Sequence, residues 1–147
     1  MENLDMNIKE NNTYKDDRGE IQMILESCDV GSISRIITEP GKTRARHTHP
    51  NDTHFIIVNY GQIIIYERPT GTNDVPIKTV LNKGDIHFTK NKTDHLMVFL
   101  VKTEFDCYSL LPRNSDNYEK ETIRLSKEQD NLIESYNKYW ETNEKAV

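Results

Sequence analysis

The chain has 147 residues, which is close to the commonest size of a single domain and is long enough to bury a hydrophobic core. Its net charge of −5 excludes the basic surface that nucleic-acid binding needs, so no nucleic-acid partner is expected. No run of about 18 apolar residues exists to cross a membrane, and no apolar secretory signal opens the sequence. Its two cysteines form no C-x-x-C pair. We therefore expect two reduced thiols and a cytoplasmic location.

Short apolar strands separated by turn residues follow one another along most of the chain. Composition and alternation predict strands at residues 21–25, 31–38, 44–49, 54–59, 62–67, 77–81, 86–89, 95–101 and 105–111. Turns that recur after roughly 8 to 12 residues are typical of a β-sandwich or barrel. We therefore predict an all-β fold in one domain, residues 1–147, with a barrel core over residues 18–112.

The end of the chain changes to a helical pattern. Ser126 and Gln129 fit a capping box, which marks the start of a helix. The apolar residues that follow at helical spacing are Leu132, Ile133, Tyr136, Tyr139 and Trp140. The pattern predicts a C-terminal α-helix over residues 126–143, whose apolar face packs on the barrel or on a partner chain.

Histidines are concentrated around the strand at residues 44–49. His47 and His49 are two residues apart, so an extended strand directs both imidazoles to one face. Residues 50–52 are turn formers, and the next strand begins with His54, which returns beside the first two. His95 lies in a later strand. Because neutral imidazole is a ligand for Zn, Cu, Fe and Ni, the sequence predicts one histidine-built metal site.

This spacing resembles the first motif of the cupins, which reads Gly, five residues, His-x-His, three or four residues, Glu, six residues, Gly. Gly41, His47, His49 and Gly61 occupy the matching positions, and His54 stands at the Glu position.

The second cupin motif reads Gly, five residues, Pro-x-Gly, two residues, His, three residues, Asn. Gly84 and His95 match it, whereas Lys90, Lys92 and Phe99 replace the Pro, Gly and Asn. The resemblance covers roughly residues 31–110.

The resemblance implies a small single-domain metallo-cupin with an RmlC-like jelly roll, also called a double-stranded β-helix. It implies one divalent transition metal (Fe, Mn, Ni, Zn or Cu) held by His47, His49, His54 and His95. It also implies a small-molecule substrate and a homodimer. His54 is alternatively a general base that stands off the metal, since its ordinary pKa is suited to proton transfer.

Other polar residues are candidates for contacting a ligand. Arg35, Tyr66, Glu67 and Arg68 are predicted to bind substrate. His87 alternates with two apolar neighbours, so we expect it to face away from the core.

Three functions follow from these expectations. The first is a metal-dependent enzyme acting on a small molecule, of the oxygenase, isomerase, lyase or decarboxylase type. The second is a metal-independent nucleotide-sugar isomerase or epimerase with a histidine base, because the segment from Pro112 to Leu125 resembles the ends of sugar-nucleotide cupins. The third is a non-catalytic cupin that binds a small ligand or a metal, because a fold alone does not decide function.

Overall fold

The computed structural model describes residues 13–25 and 29–144, without the side chains of residues 132 and 139–144. Cys28 and most of the N-terminal segment lie outside this part. Its strands are β1 (Thr13–Asp16), β2 (Gly19–Gln22), β3 (Ser32–Thr38), β4 (Lys42–Thr48), β5 (His54–Tyr60), β6 (Gln62–Pro69), β7 (Ile77–Asn82), β8 (Ile86–Thr89), β9 (Thr93–Phe99), β10 (Thr103–Ser109) and β11 (Ile123–Arg124). Its helices are α1 (Ser115–Lys120) and α2 (Lys127–Glu144).

Two antiparallel sheets face each other and form the body of the fold. One sheet has the strand order β3-β10-β5-β8, and the other has the order β11-β4-β9-β6-β7. Strands β1 and β2 form a separate hairpin. The predicted all-β fold with a C-terminal helix is therefore confirmed.

The hydrophobic core lies between the two sheets because alternate residues of both point inward. Its members are Ile56, Val58, Ile63, Ile65, Leu81, Met97, Phe99, Phe105 and Cys107. These residues mark the positions of their strands that face inward. Polar residues at the same alternation therefore also face the space between the sheets.

The outer face of the five-stranded sheet carries a second apolar cluster under α2. Ile64, Tyr66, Leu96 and Val98 meet Ile133 there. In the described part of the chain, neither helix is long and apolar enough to cross a bilayer.

The predicted capping box fixes the start of α2. The Ser126 N–H donates to Oε1 of Gln129 at 3.0 Å, and the Gln129 N–H donates to Oγ of Ser126 at 3.3 Å. The side chains of Leu132, Tyr139 and Trp140 lie outside the described residues, so the structure documents the predicted apolar face through Ile133 and Tyr136.

The last two predicted strands are displaced by two residues. They were expected at 95–101 and 105–111, whereas β9 is Thr93–Phe99 and β10 is Thr103–Ser109. Leu100 and Val101 read as strand because they are apolar, but they form the connecting turn and are about half exposed (54% and 48%).

Candidate active site

Four histidines meet at one end of the space between the sheets. His47 and His95 are register partners on β4 and β9, and His54 begins β5 on the opposite sheet. A bulge between Ala45 and His47 sets this register. Ala45 and Arg46 both have left-handed backbone angles, with φ of 71° and 59°, so β4 does not alternate regularly before His47.

The imidazole rings are packed closely. Ring centroids are 4.5 Å apart for His47 and His49, 4.7 Å for His47 and His95, and 5.4 Å for His49 and His54. Nitrogen atoms of His47, His49 and His95 lie within 4.8 Å of one another. His54 is outside that tighter group, although its ring centroid is 5.4 Å from that of His95. The four histidines are hereafter called the histidine cluster.

Backbone carbonyl groups fix the tautomers of two of these rings. Nδ1–H of His49 donates to the carbonyl oxygen of Glu121 at 2.7 Å, and Nδ1–H of His95 donates to that of Thr93 at 2.9 Å. A carbonyl oxygen only accepts, so the proton lies on Nδ1 and the free lone pair on Nε2. Nε2 of His49 is buried and has no hydrogen-bond partner among the described residues. These two rings therefore present basic nitrogens to the site.

Burial keeps the cluster uncharged. It lowers the pKa of His95 to about 4, although the bond to Thr93 opposes the shift. Burial, with the neighbouring His95 and His49, lowers the pKa of His47 to about 2. The pKa values of His49 and His54 are lowered by the same principal cause. All four imidazoles are therefore neutral at pH 7.

Arg113 reaches the cluster from the loop that follows β10. It donates to Oδ2 of the buried Asp52 through Nε and through one terminal nitrogen, both at 3.2 Å. The same terminal nitrogen lies 3.4 Å from Nδ1 of His54. Arginine only donates, so Nδ1 of His54 accepts and the neutral ring carries its proton on Nε2. His54 thus differs in tautomer from His49 and His95.

The segment around α1 holds the turn that carries His49. The Glu121 carboxylate accepts from the N–H groups of Asn51 and Asp52 at 3.0 and 3.1 Å, and from Nδ2 of Asn51 at 2.9 Å. The ring of Tyr118 lies 6.5 Å from that of His49. Residues 112–121 therefore position the site as well as bordering it.

Glu67 faces the interior beside the cluster, in line with Ile63 and Ile65 on β6. It is the register partner of His95. Nε2 of His87 lies 2.9 Å from one Glu67 carboxylate oxygen, and the Thr89 hydroxyl donates to the other at 2.9 Å. The prediction that His87 faces away from the core is wrong: it is the register partner of the inward Ile56, while Ile86 and Phe88 face outward.

The other three residues predicted to bind substrate lie on outer faces of the sheets, away from the histidine cluster. Arg35 is on the outer face of β3, where it binds Asp106 at 2.8 Å and its side chain is 63% exposed. Tyr66 and Arg68 are on the outer face of β6, under α2. Arg68 pairs there with the fully buried Asp94 at 3.5 Å. Because side chains alternate between the two faces of a strand, Glu67 points to the interior while its neighbours Tyr66 and Arg68 point outward.

Sequence reasoning missed Arg113, Asp52, Glu121 and His87. In the sequence Asp52 indicates only a turn, and Arg113 and Glu121 lie in a stretch without periodicity. The likeness of this stretch to the ends of sugar-nucleotide cupins was the one signal that pointed to it.

Comparisons with known proteins identify the fold. No protein-family model matches the chain, and no curated protein matches it either. Among solved structures, a 3,4-ketoisomerase from Helicobacter canadensis is 20% identical, with a TM-score of 0.63, over 84% of this chain and 93% of that one. QdtA, a sugar 3,4-ketoisomerase from Thermoanaerobacterium thermosaccharolyticum in complex with TDP, is 14% identical, with a TM-score of 0.63, over 86% and 92%.

A longer protein is also similar. CapF, a capsular polysaccharide assembling protein from Staphylococcus aureus, is 20% identical with a TM-score of 0.60 over 79% of this chain. The match covers 34% of CapF, so this chain corresponds to about a third of its length.

The prediction of one divalent transition metal as cofactor is wrong. Several of the similar solved structures are 3,4-ketoisomerases, and QdtA is described with TDP, or as a mutant with TDP-4-keto-6-deoxyglucose, as its ligand. Four imidazoles at this spacing serve acid–base chemistry as readily as metal ligation, so their spacing in the sequence does not distinguish the two. Together with the two facing sheets, these likenesses show that the chain has an RmlC-like jelly-roll fold, the fold of the cupins.

Proposed function

We propose that this chain is a sugar ketoisomerase, which moves a keto group between adjacent carbons of a nucleotide-linked sugar with histidine as its base. The observation that carries this proposal is the unpartnered Nε2 of His49 within a cluster of neutral imidazoles. The fold shared with sugar 3,4-ketoisomerases supports the choice of reaction and of substrate class.

The reaction consists of proton transfers. A base removes the proton from the carbon that bears the hydroxyl group, and the C–H electron pair forms the C=C bond of an enediolate. The carbonyl oxygen then carries the negative charge. The hydroxyl proton moves to the former carbonyl oxygen, and return of the carbon-bound proton to the former carbonyl carbon completes the isomerisation as the hydroxyl carbon becomes the ketone. No electron leaves the sugar, so the chemistry needs bases, a hydrogen-bond donor and a dry site.

The tautomers divide these tasks among the histidines. His49 and His95 present Nε2 lone pairs, so either is equipped to take the carbon-bound proton. His54 carries its proton on Nε2 because Arg113 occupies Nδ1, so we assign it as the donor to the developing oxyanion. A neutral imidazole is suited to that task, since it donates without adding charge to the ground state.

The test is incubation of the purified protein with TDP-4-keto-6-deoxyglucose in D₂O, followed by ¹H NMR. We expect deuterium uptake beside the keto group and appearance of the 3-keto isomer, both unaffected by a metal chelator. His49→Gln is expected to lower kcat by about 10²-fold or more. Arg35→Gln changes an exposed side chain on the outer face and is the matched control, with wild-type activity expected.

Absence of both exchange and isomer in the wild-type protein would refute this function. If TDP bound without any turnover of the TDP-sugar, the non-catalytic ligand-binding cupin would be favoured instead.

A further inference from the structure

A carboxylate and an imidazole are paired across the interior, next to the histidine cluster but separate from it. Glu67 is on β6 of the five-stranded sheet, and His87 is on β8 of the four-stranded sheet. Their side chains bridge the two sheets through the bond of 2.9 Å from Nε2 of His87 to Oε2 of Glu67. An imidazole held in this way by a carboxylate can act on a ligand in the interior through its other ring nitrogen.

The carboxylate of this pair is held beside apolar side chains of the core, in line with Ile63 and Ile65 on β6. Burial alone would raise the pKa of Glu67, but hydrogen bonds from His87 and Thr89 hold its pKa below the ordinary value. The carboxylate is therefore ionised at pH 7 and accepts, so Nε2–H of His87 donates and a neutral ring keeps its lone pair on Nδ1. Among the described residues, no hydrogen-bond partner is found for that Nδ1.

Solvent reaches this pair, although it lies beside the core. The side chains of His87 and Glu67 are 16% and 15% exposed, whereas inward neighbours such as Ile63 and Ile65 are at most 2% exposed. A partly buried carboxylate retained only for cross-sheet packing is a weak source of stability, because apolar side chains of similar size stabilise as well. An accessible imidazole beside an ionised carboxylate is, in contrast, the arrangement that supports proton transfer.

The pair is also coupled to the cluster. Glu67 is the register partner of His95, and its negative charge raises the pKa of His95 against the larger effect of burial. A ligand that contacts His95 from the interior therefore also lies beside Glu67 and the imidazole of His87 that is bonded to it.

On the basis of the ketoisomerase function proposed above, we propose that His87 is a second acid–base residue of the same site and that Glu67 positions it. The cluster moves the carbon-bound proton, and His87 moves the oxygen-bound one. After the enediolate forms, the O–H bond of the remaining hydroxyl group breaks as Nδ1–H forms on His87. This Nδ1–H bond then breaks as an O–H bond forms on the former carbonyl oxygen. The oxyanion left behind collapses to the new ketone, and the former carbonyl carbon takes back the proton held by the cluster.

Glu67 acts through His87 in this scheme. Its carboxylate fixes the Nε2–H tautomer and stabilises the transient imidazolium. Thr89 bonds the other carboxylate oxygen and takes no part in proton transfer, so Thr89→Val is the matched control for loss of a hydrogen bond to Glu67.

The experiment measures hydrogen exchange and isomerisation separately, with TDP-4-keto-6-deoxyglucose in D₂O. For His87→Asn we expect exchange of the carbon-bound proton to continue near the wild-type rate, while formation of the isomer falls by about 10²-fold. Thr89→Val should keep the wild-type ratio of the two rates. In the folded wild-type protein, ¹⁵N NMR should show His87 with its proton on Nε2, and Glu67→Gln should shift the tautomer towards Nδ1–H.

Each outcome is decisive. A His87→Asn protein that keeps the wild-type ratio, or that loses both rates equally while it remains folded by circular dichroism, would overturn this role for His87. A proton on Nδ1 in the wild-type protein would overturn the role of Glu67. A wild-type protein with neither exchange nor isomerisation would overturn the ketoisomerase function itself, and the role of His87 with it.

Discussion

The buried histidine cluster should make the stability of this protein strongly dependent on pH, and His95 gives the clearest case. Its pKa is about 4 in the folded chain, against an ordinary value of 6.5. Between these values the unfolded chain binds a proton that the folded chain does not, so stability falls as the pH falls from 6.5 towards 4. Above pH 6.5 the residue is neutral in both states and contributes no pH dependence.

The size of the effect follows from the two pKa values. From pH 7 to pH 5, His95 alone should lower the free energy of unfolding by about 2 kcal/mol. The other three cluster histidines shift in the same direction and add to this loss. Domains of this size are stable by about 5–15 kcal/mol, so the total loss is a large fraction of the whole.

The assay is urea unfolding followed by circular dichroism at pH 7, 6 and 5, for the wild-type protein and for His95→Gln. The variant should lose about 2 kcal/mol less than the wild type over this pH range, whatever its stability at pH 7. Comparing pH-dependent losses removes the effect of repacking around the glutamine. Equal losses in the two proteins would refute the conclusion that His95 is buried as a neutral imidazole.

Three further predictions concern stability and are checked by the same urea unfolding at pH 7. Gly61→Ala and Gly84→Ala meet the same backbone strain, with φ of +89° and +88°, and should each cost about 1–2 kcal/mol. Of these two glycines, Gly61 alone packs against backbone, where a Cβ would lie 2.6 Å from a carbonyl oxygen. Gly61→Ala should therefore cost about 1–3 kcal/mol more than Gly84→Ala, and equal costs would contradict this close approach. Arg68→Met removes the positive charge beside the buried Asp94, which among the described residues keeps only its hydrogen bond from Thr70, and should cost about 3–5 kcal/mol. The double variant with Asp94→Leu should cost less, and the reverse order would contradict the buried pair. Glu121→Ala removes three hydrogen bonds to the turn before β5 and should cost about 2–3 kcal/mol. An unchanged free energy of unfolding would show that the Glu121 carboxylate does not hold this turn.

The fold was largely predictable from the sequence because alternation and turn residues are local signals. The capping box at Ser126 and Gln129 and the spacing around His47 and His49 were sufficient to place the helix and the cluster. Lys92 shows why partial motif matches still indicate the fold. It replaces the cupin glycine but adopts the left-handed conformation, with φ of 56°, so the turn is kept without the residue that favours it.

The parts of the site that sequence could not predict depend on contacts between distant residues. The inward direction of His87 follows from its pairing with β5, which a single strand does not reveal. Arg113 meets Asp52 across 61 positions in the chain. Likewise, the sequence alone suggests that Arg68 contacts a ligand, whereas the structure places it under α2.

The bulge in β4 couples the contact between the sheet and α2 to the geometry of the histidine cluster. Arg46 points outward from it and binds Asp130 at 2.7 Å and Glu134 at 2.6 Å on α2, while the next residue, His47, points into the site. Two strained residues thus set both the anchoring of the helix and the placement of an imidazole. Substitutions on α2 and substitutions in the pocket should therefore be epistatic, and variation on one surface would constrain which changes the other can accept during evolution.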